Sequence, residues 1–142
     1  MPKWEAAWVD RGNVLSTGLV SLASGARTNS GTEIANQTNL DEVGKVKLSV
    51  TFASGPAAGA RVDIFMLTSP DSDGYEDGAS GVDPGNHTLV ASIPVRGITT
   101  AQVLMSNVFG LQPAPTKFIL SNQTTATFPT GGSTVKLYTA NK

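Results

Sequence analysis

The chain has 142 residues, a formal net charge of −1 and no cysteine, with 39% of its residues hydrophobic and only 15% charged. That length suits one domain, and the lack of cysteine excludes a disulfide framework, a thiolate metal site and a thiol nucleophile. Near-neutral charge removes the electrostatic basis for binding nucleic acid or an anionic membrane, and no stretch approaches the roughly 20 apolar residues of a membrane-spanning helix.

The N-terminal residues Met1-Pro2-Lys3-Trp4-Glu5 lead into no apolar run, so no signal peptide is read there. Residues 1–12 are expected to form an irregular arm. Leu15, Leu19 and Leu22 fall at helical spacing, yet Gly12, Gly18 and Gly25 would each cost a helix about 1 kcal/mol relative to alanine. A short turn or extended segment is therefore expected, followed by a strand around Arg27 to Ala35.

From Gly44 the period is two. Val46, Leu48, Val50 and Phe52 alternate with Lys45, Lys47, Ser49 and Thr51, the pattern of a strand with one wet face. Arg61 to Leu67 is almost continuously apolar and should lie centrally, covered on both sides. Thr68 to His87 reads as a turn-rich loop too polar to pack. In Thr88 to Val95 the residues Leu89, Ala91, Ile93 and Val95 should point inward, with Pro94 marking an edge or a bulge.

Thr99 to Ser106 predicts a further strand with Val103 and Met105 on one face, and Lys117 to Ser121 another with Phe118 and Leu120 on one face. Thr124 to Phe128 and Thr134 to Thr139, joined through Pro129-Thr130-Gly131-Gly132, read as a hairpin. About eight short antiparallel strands with turn signals between them define an all-β chain, a single β-sandwich spanning 1–142, jelly-roll-like in strand number.

Nothing in this pattern carries an enzyme. The one histidine, His87, stands in the polar loop beside Pro84-Gly85-Asn86, without a nucleophile elbow or ligand triad. Asp71, Asp73, Glu76, Asp77 and Asp83 form an acidic cluster, but Tyr75 and Val82 stand where an EF-hand loop needs an oxygen ligand and its last glutamate. A solvated loop is the simpler reading, and no cofactor or metal is called for. Trp4 and Trp8 share one face of either a helix or a strand. Trp4 reads equally as an interface anchor or a cap on the sandwich, and Trp8, which leads into Val9, as a core residue. All 11 acidic residues precede Pro84, and only Arg96, Lys117, Lys136 and Lys142 carry charge after it. Such an asymmetry leaves room for complementary patches between copies or partners.

The stretch Leu19 to Asp41, with Leu-Val-Ser-Leu-Ala-Ser-Gly-Ala followed by Asn-Gln-Thr-Asn-Leu-Asp, resembles a group of small virion proteins of tailed bacteriophages. The similarity continues through Gly59 to Leu67, Ser69 to Gly78 and Phe118 to Asn122, and so spans about Leu15 to Tyr138. Here Tyr75 directly follows Gly74, where the group often has one or two residues between them, and Val103 to Gln112 is poorly matched. The resemblance implies a non-enzymatic structural role on the particle surface, as a head decoration (cement) protein bound to the major capsid protein or other virion proteins, as a homo-oligomer or lattice array. The contact residues expected on that reading are Trp4 and Trp8 in the N-terminal segment and Asp71, Asp73 and Tyr75 in the polar loop. A tail, neck or fibre component, or a carbohydrate-binding sandwich using Tyr75 as a platform, are the alternatives.

Overall fold

A computed structural model describes residues 7–71, 74–75, 84–85 and 88–141. Among the described residues nine strands form two antiparallel sheets: β1 (Val9–Leu15), β2 (Ile34–Ala35), β3 (Val43–Val50), β4 (Arg61–Thr68), β5 (Leu89–Pro94), β6 (Gln102–Met105), β7 (Phe109–Gly110), β8 (Pro115–Gln123) and β9 (Thr134–Ala140). The first sheet runs β1-β9-β3-β6, with β7 also pairing β3, and the second runs β2-β8-β4-β5. Without the two-residue β7, the outermost strands in sequence pair with each other, then the next ones in, down to β4 with β5. This is one long hairpin wound into a sandwich, the jelly-roll topology. Among the described residues no helix is long and apolar enough to cross a membrane.

The alternation read from the sequence becomes the core. Val46, Leu48 and Val50 of β3 and Val135 and Leu137 of β9 meet Val62 and Ile64 of β4 and Phe118 and Leu120 of β8, all buried. Phe52 and Phe128 close one end of this layer, edge to face, with ring centroids 5.3 Å apart. Strand β4 is covered on both sides, as its continuous apolar run predicts. Its other face carries Phe65 and Leu67, which join Ile119 of β8 in a second cluster against which Tyr75 packs.

Several expectations change, beginning with the irregular arm, since residues 9–12 belong to strand β1, which pairs with β9. The segment 68–87 does pack in part, because Tyr75 lies over the outer face of the second sheet. Leu89 is exposed, since a bulge between Ile64 and Phe65 shifts the β4–β5 register and pairs Leu89 with outward-facing Phe65. Arg27 to Ala35 is only partly a strand. Apart from β2 it follows β8 through scattered bonds, such as Thr28 N–H to Leu120 O at 2.9 Å and Gly31 N–H to Phe118 O at 3.0 Å. Nor do Thr124 to Phe128 and Thr134 to Thr139 form a hairpin. β8 and β9 lie in different sheets, and the chain between them crosses the end of the sandwich.

The buried Asn122 side chain holds that crossing. Its amide N–H groups donate to Leu22 O at 3.0 Å and Ala126 O at 2.9 Å, and its carbonyl accepts from Thr124 N–H and Oγ1–H at 3.0 and 2.6 Å. With both ends of the amide satisfied by its own bend, the chain turns away from β8 instead of doubling back. A second buried network ties the opposite end together. Asp41 Oδ2 accepts from Arg11 Nη2 at 2.7 Å and from Thr139 Oγ1 at 2.7 Å, while Asn36 Nδ2 donates to Asp41 O at 3.0 Å and Gln112 O at 2.6 Å. The segment Asn36 to Asp41 forms a single helical turn, Asn36–Asn39, closed by Leu40 in the left-handed region at φ 54°.

Candidate functional site

The outward face of the first sheet is built from alternate residues of β3 and β9. Their inward neighbours fill the core, so Lys45, Lys47 and Ser49 must point out, with Thr134, Lys136 and Tyr138 beside them. In this register Lys47 stands directly opposite Lys136, and Lys45 opposite Tyr138. Lys47 Nζ sits 5.4 Å from the centroid of the Tyr138 ring, within cation–π range. On β1, Asp10 pairs with Tyr138 and reaches Lys136 Nζ at 3.3 Å. The Gly12 N–H, 2.7 Å from Asp10 Oδ1, with Lys136 and Lys47 nearby, holds the Asp10 carboxyl below its ordinary value. Two lysines facing each other across a strand pair repel, and here Asp10 draws on Lys136 while the Tyr138 ring takes Lys47.

This face continues onto β6, where Met105 lies opposite Lys47 and Val103 opposite Ser49. Val103 is 62% and Met105 49% exposed, and Val108 just beyond is exposed as well. A basic aromatic centre with an apolar margin thus occupies one side of the molecule. Sequence reasoning missed this site. The alternating lysines were visible in β3 as a wet face, but their meeting with Lys136 depends on a strand pairing that no local pattern specifies.

The expected contact residues scatter. Trp4 and Asp73 lie outside the described residues. Trp8 is 44% exposed and not in the core, because it precedes the first paired residue of the edge strand β1 and has no facing sheet to enter. Asp71 is exposed, with Ser69 Oγ at 3.5 Å from its Oδ1. Tyr75 is engaged within the molecule. Its ring rests on Phe65, Leu67 and Ile119, Lys117 Nζ lies 4.7 Å from the ring centroid, and its hydroxyl donates to Glu33 Oε2 at 2.6 Å. Burial, reinforced by the hydrogen bond to Glu33 and that carboxylate's charge, raises the Tyr75 hydroxyl well above the usual tyrosine value. Most of the acidic cluster falls outside the described residues, and among those described no group of three or more carboxylates or histidines is placed to hold a metal ion.

Comparisons with protein-family models, with curated proteins and with solved structures find no match to this chain.

Proposed function

We propose that this protein is a non-enzymatic structural component of a bacteriophage particle, a decoration protein that docks on the assembled head and stabilises it. The observation that supports this reading best is the outward face of the first sheet. It sets Lys47 opposite Lys136 and leaves Val103 and Met105 uncovered. An acidic protein surface would relieve the repulsion, and an apolar strip within it would cover the edge residues. Binding an assembled shell better than its separate subunits stabilises the shell by mass action. Trp8, exposed just ahead of β1, supplies an aromatic anchor beside a second strand of the same sheet.

Tail, neck or fibre placement is the competing location on the same particle, and copy number separates the two. Intact particles are purified from a lysate and the protein is quantified by mass spectrometry. Hundreds of copies per particle are expected for a shell protein. A handful would move it to the tail or neck, and absence from intact particles would overturn the virion reading.

A further inference from the structure

The edge of β6 differs from every other strand edge in this sandwich. Strand β5 is blunted by a bulge and ends at Pro94, and β2 and β7 are each two residues long. Strand β1 carries Asp10 and Arg11, and its Val14 carbonyl already accepts the Thr32 N–H at 3.0 Å. These are the usual ways in which an edge is closed to another chain. Strand β6 has none of them. It lies in a stretch, Gly97 to Thr116, without a single charged residue, and among the described residues nothing pairs with its outer side.

The pairing with β3 fixes which backbone groups are free. Ser106 N–H donates to Val46 O at 2.9 Å, so Val46 faces Ser106 as a bonded pair. In an antiparallel ladder bonded pairs alternate, which turns the main-chain groups of Leu104 and Gln102 toward Leu48 and Val50. The N–H and C=O groups of Val103 and Met105 therefore point away from the sheet. Regularly spaced donors and acceptors along an extended edge are matched by another extended strand.

We propose that this strand is a second copy's β6, joined antiparallel about a two-fold axis through Leu104, so that Val103 bonds to Met105 of the second copy and Met105 to its Val103. The free groups of one copy are then the complement of the other's, as an isologous contact requires. Val103 and Met105 of both copies come together on one face and shield one another. Self-pairing sets any charged residue against, or close to, its own like charge, and an uncharged strand escapes that penalty. On the face that carries Val103 and Met105, the two Lys47 strands are separated by three strand spacings, roughly 14 Å, beyond the screening length of about 8 Å at physiological salt. The inference deepens the structural reading above by naming how copies meet, and it is tested on the isolated protein, so its failure leaves the particle reading standing.

Sedimentation equilibrium of the full chain between about 5 and 500 µM, the span over which a small edge contact associates, reads the outcome directly. The average mass is expected to rise toward twice the monomer. Val103→Lys, an exposed position whose side chain leaves the core untouched, is expected to weaken association at least tenfold with an unchanged melting temperature. Val103→Pro removes only an outward N–H and should act alike. Should either variant unfold, Met105→Lys takes its place. A mass that stays monomeric throughout, or a dimer that persists in the folded variants, would overturn the proposal.

Discussion

Tyr75 shows how one side chain turns a polar segment into part of the fold. Its hydroxyl has a charged acceptor in Glu33, and its ring covers apolar residues that would otherwise leave β4 wet on one side. Both circumstances favour the neutral phenol, burial first and the carboxylate second. The folded chain thus keeps the proton to higher pH than the unfolded chain, whose tyrosine titrates near 10. The stabilisation is complete below that pH and declines as pH rises toward the folded value, because only the unfolded state then releases the proton. Absorbance titration at 295 nm, with the Tyr75→Phe curve subtracted, should place the Tyr75 ionisation clearly above 10. Glu33→Gln should lower it without restoring the ordinary value, since burial remains. A difference curve centred at 10 would show that the ring is not covered.

At the level of elements, the seam between the sheets rests on a close approach at Gly31. A Cβ on this residue would overlap the Val14 carbonyl oxygen, the acceptor that links β1 to Thr32. Gly31→Ala should therefore cost about 2–4 kcal/mol in chemical denaturation, through overpacking against rigid backbone. Gly131→Ala, where a Cβ meets nothing, serves as the control and should change stability by less than about 0.5 kcal/mol. Strands with strong local patterns were legible in the sequence: β3 by its alternation, β4 by its continuous apolar run, and β8 by Phe118 and Leu120. The turn chemistry of Pro129 to Gly132 suits a hairpin, yet it contains nothing about which sheet β9 joins. That choice belongs to Asn122 and to partners of β9 far away in sequence, such as Val9 with Thr139. Arg27 to Ala35 falls short of a full strand because Thr28 Oγ1, in place of a backbone carbonyl, takes the Leu120 N–H at 3.0 Å. The candidate site follows the same division. Val103 and Met105 could be put on one face from spacing, but their exposure follows from β6 being an edge, which is a property of topology.

For the molecule as a whole, winding the chain gathers its charges unevenly. In the sequence the acidic residues are confined to the part before Pro84, and the jelly roll draws β1, β3, β6 and β9 into one sheet from both parts. On the outward face of that sheet Lys45, Lys47 and Lys136 gather beside the Asp10 carboxylate. Such a face attracts an acidic surface over about 10 Å at 0.1 M salt and over about 3 Å at 1 M. Occupancy on purified particles should thus fall as salt is raised, if this is the docking face. The double variant Lys47→Gln, Lys136→Gln should bind several-fold less at low salt and respond less steeply to salt, because the charges that steer and hold the contact have gone. It should also fold about as stably as the parent, since relief of the opposed lysines is set against loss of the Lys136–Asp10 ion pair and the Lys47–Tyr138 contact. A charge-neutral variant that binds particles as tightly, and with the same salt dependence, would move the docking contact off this sheet.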